Sequence, residues 1–169
     1  MNSRKFVAVT AVVFPVLVAM AMPRTTQGVE LVKAGQPKAV IVLAADVLAW
    51  QAPVDAKGKK MVAVPSPFAD VRLAADELQE HVQKMSGAAL EIVAQGSDLA
   101  GRIPIYLDET AYKGLDALVR KQSQDPAAFA LVVTDKKVSV RGLSKEGTLF
   151  GVYELLEQLG VRWFMPGEV

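Results

Sequence analysis

The stretch GLSKEGT at residues 142–148 has the glycine spacing of a phosphate-binding loop. Such a loop needs Lys directly after its second glycine, to reach the terminal phosphates, and then Ser or Thr for the metal. Here Thr148 follows Gly147 directly, and the lysine is displaced to Lys145. The reading this favours is structural: Gly142 ends a strand, and Gly147 lets a helix pack close to a neighbour. Glu154 and Glu157 are the next pair that could do chemistry. Paired carboxylates cleave glycosidic bonds when they flank a bound sugar. Two glutamates three apart on one helical face are ordinarily solvated charge. Asp108 and Glu109 read in the same way, as caps of a weak helix. His81 is the single histidine, and a lone histidine without clustered ligands makes neither a metal site nor a Ser/His/Asp set.

Several elements must position these residues. Residues 29–33 are a short strand candidate. Residues 38–45, KAVIVLAA, are a continuous apolar run, as expected of a strand buried on both faces. Residues 50–60 carry Pro53, Gly58 and three lysines and read as an exposed loop, followed by a short strand at 62–64. A helix is expected over residues 67–85. Val71, Ala74, Ala75, Leu78, Val82 and Met85 form its apolar stripe, Ser66 is a candidate cap, and Gly87 suits a left-handed end. Residues 89–94 and 102–107 read as strands. Pro104 points to an edge or a bulge in the second, because it lacks an N–H for the ladder. Residues 109–124 are weakly helical. Residues 129–134 and 137–141 form a hairpin around Asp135 and Lys136. The last helix is expected over residues 145–159, capped by Ser144 and ended by Gly160. Its stripe is Leu149, Val152, Tyr153, Leu156 and Leu159. The expected fold class is α+β, a two-layer α/β domain with a mixed sheet and two main helices on one face.

The whole chain has 169 residues, room for one ordinary domain behind a leader. Arg4 and Lys5 precede a predominantly apolar run at residues 6–22. Ala19, Met20 and Ala21 then fit a small-x-small cleavage site. Residues 1–21 are therefore expected to be a secretory signal, with a second cleavage point as late as residue 28. An uncleaved anchor is the rival reading. Pro15 interrupts the run, so stable membrane insertion after cleavage is not expected. Removing the two cations Arg4 and Lys5 takes the formal net charge from +1 to −1. That balance argues against nucleic acid as a partner. Zero cysteines exclude a disulfide frame and a thiolate metal site. No residue pattern calls for a cofactor or a metal.

Two segments carry a resemblance. One is AADELQEHVQKMSGAALEIV at residues 74–93, followed by RIPIYL. The other is FALVVTDKKVSVRGLSKEGTLFGVYELLEQLGVRWFMPGE at residues 129–168. Within the second stand Gly147, Gly151, Val152, Tyr153, Leu156, Glu157, Gly160, Val161, Arg162, Trp163, Phe164, Pro166 and Gly167. Together they resemble the N-terminal domain ahead of the catalytic barrel in bacterial alpha-glucuronidase-type glycoside hydrolases. A similar domain precedes the barrel in beta-N-acetylhexosaminidases. The resemblance implies a mixed sheet with two helices on one face, over residues 29–165. It also implies that bond cleavage belongs to a following barrel, so no catalytic residue is carried over to this sequence. A (β/α)₈ barrel needs about 250 residues, so residues 166–169 read as the start of a linker to a missing barrel.

Three functions compete at this point. The first is the accessory domain of an exported glycoside hydrolase, periplasmic or extracellular and itself inactive. Its partner would be the catalytic barrel, and Arg162, Trp163, Phe164 and Pro166 are its candidate docking residues. The second is a free-standing module for poly- or oligosaccharide or an envelope partner, with Trp50 and Trp163 as stacking residues. The third is a small complete enzyme.

Overall fold

The computed structural model describes residues 29–51, 66, 68–108 and 114–163. The signal-peptide expectation, the strand at 62–64 and most of the loop at 50–60 lie outside them. So do Glu109, Phe164 and Pro166.

Strands β1 (Val32–Lys33) and β2 (Gln36–Pro37) form a small antiparallel hairpin of their own. The main sheet has five strands: β3 (Ala39–Leu43), β4 (Glu91–Ala94), β5 (Ile103–Leu107), β6 (Phe129–Val133) and β7 (Val138–Gly142). Their order is β4-β3-β5-β7-β6. The first four in that row are parallel, and β6 pairs antiparallel with β7. All five residues of β3 are buried, as its unbroken apolar run requires of a central strand. The apolar run stops two residues short of the expected Ala45, because Ala45 opens a short helix, α1 (Ala45–Ala49).

Helix α2 (Ala69–Ser86) leaves the β3 level and returns the chain to β4. Val71, Ala74, Ala75, Leu78 and Val82 are buried along it, while Met85 is exposed. The stripe thus ends one turn earlier than the spacing predicts. Gly87 takes a left-handed φ of 74° and its N–H donates to the Gln83 carbonyl. Ser66 acts just ahead of the helix: its hydroxyl accepts from the Phe68 N–H at 3.2 Å.

Helix α4 (Lys145–Gln158) packs beside α2 on the same face of the sheet, and α3 (Leu115–Gln122) lies on the other face. The alternation along β7 shows this. Val140 and Gly142 meet α4, whereas Arg141 between them bonds Asp116 on α3. The main core therefore sits between the sheet and α2–α4. Ile41, Leu43, Ile105, Leu107, Val138 and Val140 fill it from the strands, and Leu78, Val152 and Leu156 from the helices. Each such side chain contributes about 1.5–3 kcal/mol on full burial. Leu155 is buried and Leu159 exposed, the reverse of a simple stripe, because α4 must cover both the hairpin and α2.

Two local devices replace sequence signals that are absent. The β6–β7 turn has neither Gly nor Asn in its tip. Instead, the Thr134 hydroxyl accepts from the N–H groups of Lys136 (3.3 Å) and Lys137 (3.0 Å) and donates to the Lys137 carbonyl. Pro104 is not on an edge strand, since β5 lies between β3 and β7. The Ile103 N–H donates to Lys38 on the β3 side, so the Pro104 nitrogen faces the β7 side. There β7 begins pairing only at Ile105 with Val138, so no ladder bond is lost.

Close approach of α4 to the hairpin is set by glycines. A Cβ on Gly151 would lie 2.5 Å from Val140 Cγ1 and 3.1 Å from Phe129 Cδ2. A Cβ on Gly142 would overlap the backbone of Gly147 and Thr148. We expect Gly142→Ala to cost at least the roughly 1–3 kcal/mol typical of overpacking, because the obstacle is backbone. Gly151→Ala, which meets the side chains of Val140 and Phe129 rather than backbone, should cost less. Urea unfolding midpoints of the two variants check the order.

Candidate functional site

The carboxyl ends of β3, β5 and β7 lie on one edge of the sheet. The helices after β3, α1 and α2, lie on one face of the sheet, and α3, the next described helix after β5, lies on the other. Divergence of this kind opens a crevice between the two strand ends, where open α/β sheets bind ligands. A cleft of about 300 Å³ lies there. Its walls include Asp46 and Val47 of α1, Phe68 ahead of α2, and Gln95 after β4. Tyr106 of β5, Asp108 just after it, Arg141 of β7 and Lys145 of α4 are also among them.

Asp108 organises the polar side of this cleft. It follows the last residue of β5 and takes a left-handed φ of 59°, an uncommon conformation that Asp tolerates better than most residues. Its side chain is 7% exposed. One carboxylate oxygen accepts from Arg141 Nη1 and the other from Lys145 Nζ. The Thr148 hydroxyl lies 3.5 Å from the first. Arg141 Nη1 also donates to the Asp108 carbonyl at 2.9 Å. The far side of the guanidinium forks onto Asp116, with Nε at 3.0 Å and Nη2 at 3.3 Å. The hydrogen bond from Arg141 holds the Asp116 carboxyl below the usual range, against the opposing effect of burial. The Arg141 guanidinium is pushed up in turn, first by Asp116 and then by Asp108. The Thr148 hydroxyl also accepts from the Gly142 N–H at 3.0 Å, closing the ring between β7 and α4. Chemically this is a polar-ended cleft of mixed sign, with both oxygens of its buried carboxylate engaged by cations.

A second feature lies at the other end of α4. Gly160 (φ 108°) donates to the Glu157 carbonyl and Val161 to the Leu156 carbonyl, a Schellman ending. This turn delivers Trp163 back across the two helices. Its ring meets His81 of α2 edge-on at 5.2 Å between centroids, and Tyr153 of α4 at 5.1 Å. Trp163 remains 45% exposed. Burial, then the nearby Glu77, pushes the Tyr153 hydroxyl up.

The sequence-predicted residues distribute as follows. Residues 142–148 are the end of β7 and the capped start of α4; Ser144 Oγ accepts from the Gly147 N–H at 3.0 Å. Glu154 accepts from Gln158 at 2.8 Å on an exposed helical surface. His81 Nδ1 lies 2.9 Å from the Glu77 carbonyl and serves as a platform for Trp163. Arg162 is bound to its own helix end, donating to the carbonyls of Glu157 and Val161 at 2.7 and 2.8 Å. Trp50 is half-buried after α1, and among the described residues no ring contact joins it to Trp163. Asp108 does not cap a helix: it is paired across 33 and 37 residues to Arg141 and Lys145. Sequence spacing missed that cluster. Its only local signal is an acidic residue placed directly after a buried strand.

No family model matches this chain, and no curated protein matches it by sequence. Among solved structures, it resembles parts of large glycoside hydrolases. One is a family GH115 4-O-methyl-alpha-glucuronidase with specificity for decorated arabinogalactans. The likeness covers 78% of this chain at 23% identity, with a TM-score of 0.45. Another is a GH138 enzyme targeting pectin rhamnogalacturonan II, matched over 72% of this chain at 15% identity with a TM-score of 0.40. The chain spans 14% of the first protein's length and 13% of the second's.

Two outcomes test the cluster. Asp108→Ala removes the nearly buried carboxylate shared by Arg141 and Lys145 and should cost about 1.5–3 kcal/mol, since Arg141 keeps Asp116 and Lys145 can turn to water. Asp116→Ala removes a half-exposed partner and should cost less than about 1 kcal/mol. The Asp116 carboxyl is lower in the folded chain than in the unfolded one. Its contribution is therefore complete above the ordinary value of about 4 and disappears as pH falls through the folded value. Urea midpoints below that pH should fall less steeply in Asp116→Asn than in the natural chain.

Proposed function

We propose that this chain is a non-catalytic, exported domain that accompanies a glycoside hydrolase catalytic barrel. The carrying observation is Trp163. It is fixed edge-on by His81 and Tyr153, yet nearly half of it is open to solvent. A large aromatic with its rotamer set by neighbours loses little freedom on docking, which is the character of residues at interface centres. Leu159, four residues earlier at the carboxyl cap of α4, is exposed as well. The motif from Gly147 to Trp163 supports the same reading, since it resembles the barrel-preceding domain of alpha-glucuronidase-type enzymes. A sugar stacked on Trp163 is the second reading, favoured by the same open ring.

The test begins with the coding locus, which should encode a glycoside hydrolase barrel in the same or an adjoining frame. That barrel, expressed separately, should co-elute with this domain. Trp163→Ala should weaken the association by at least tenfold. On its own, the domain should turn over neither aryl glucuronides nor aryl N-acetylhexosaminides. Binding that is indifferent to Trp163→Ala would remove the docking role. A saturable change in Trp163 fluorescence with oligosaccharide would favour the sugar reading instead.

A further inference from the structure

The cleft between the ends of β3 and β5 is independent of the docking reading and lies away from Trp163. Its charged walls are Asp46, Asp108, Arg141 and Lys145, two of each sign. A free anion would find the two cations already bound to Asp108. A free cation would find the Asp108 carboxylate already neutralised and only the exposed Asp46, whose Oδ1 accepts from the Val47 N–H at 2.9 Å, left to it. An apolar ligand would leave these groups without water or a replacement partner. A ligand hydroxyl both donates and accepts, so it can bond a carboxylate and a cation in the same place. Val47 and the rings of Phe68 and Tyr106 line the same cleft and offer apolar contact. The volume of about 300 Å³ stands at the small end of ligand sites. The left-handed backbone at Asp108 turns the chain away at the strand end.

From these properties we infer that the sheet-end cleft binds a neutral, polyhydroxylated ligand of about monosaccharide size. Hydroxyls bridge Asp46 to the Lys145 and Arg141 side, and a carbon-bearing face rests on Phe68. A free sugar and the end residue of an oligosaccharide share this chemistry.

The experiment is a two-dimensional amide NMR titration of the purified chain. D-galactose, D-glucose and maltotriose are the probes, with inorganic phosphate and glucuronate as anionic controls. Concentrations reach about 50 mM, sufficient for a millimolar Kd. At least one neutral sugar should shift the signals of residues 44–47, Gln95 and residues 106–108 saturably, while the Trp163 indole stays still. Maltotriose binding at least as tightly as the monosaccharides indicates a chain end; weaker binding indicates a free sugar. Asp46→Ala, an exposed change at the start of α1, should raise the Kd at least tenfold, and Gln95→Ala should do the same from the end of β4. Unchanged signals elsewhere show that each variant is folded. The inference is overturned if no neutral sugar shifts the cleft, or if phosphate or glucuronate binds there as tightly. It also fails if neither variant changes the Kd, or if the shifts centre on Trp163.

Discussion

Helix α4 comes close to the β6–β7 hairpin and to the segment before β6 at three glycines. Gly142 receives the first turn of the helix, Gly147 lies under the carbonyls of Pro126 and Ala128, and Gly151 receives Val140. This contact decides where both ends of the helix go. At the amino end, Ser144 is drawn into a cap on the Gly147 N–H while its own hydroxyl donates to the Pro126 carbonyl at 2.7 Å. Lys145 is thereby brought to Asp108, and Thr148 to the Gly142 N–H. At the carboxyl end, the Schellman turn starts from a fixed last turn, so Trp163 lands on His81 and Tyr153. A Cβ at Gly142 would lift the helix and loosen both ends together.

The strand end at Asp108 depends on that seating for its charge balance. A carboxylate taken from water costs several kcal/mol unless it is paired and hydrogen-bonded. Here the compensation arrives from two directions. Arg141 comes from the neighbouring parallel strand, and Lys145 from the first turn of α4. Arg141 also reaches Asp116 on the opposite face of the sheet, so one guanidinium ties α3, β5 and β7 together. The worth of this cluster lies less in net stability than in fixing one arrangement at a place where the chain diverges to both faces.

The legible parts of the sequence were those governed by short spacing. The apolar run of β3, the stripe of α2, the Ser144 cap and the endings at Gly87 and Gly160 each follow from residues within one or two turns. The same holds for the structural role of residues 142–148. Long-range pairing was not legible. Asp108 looked like a helix cap because nothing nearby in sequence announces partners 33 and 37 residues away. Pro104 misled for a related reason: its missing donor faces a gap whose position depends on where β7 begins. Leu155 and Leu159 exchanged roles because a helix covering two neighbours buries a wider arc than one stripe.

The two candidate surfaces stand at opposite ends of one rigid rod. Fourteen residues of α4 rise about 21 Å, and the helix runs antiparallel to β7, against which it packs. Lys145 thus marks the carboxyl edge of the parallel strands, and Trp163 the amino edge. A partner seated on Trp163 leaves the crevice at Asp108 open, and a sugar in the crevice leaves Trp163 free. Two helices join the two places: α4 from Lys145 to Tyr153, and α2 from Phe68 at its start to His81.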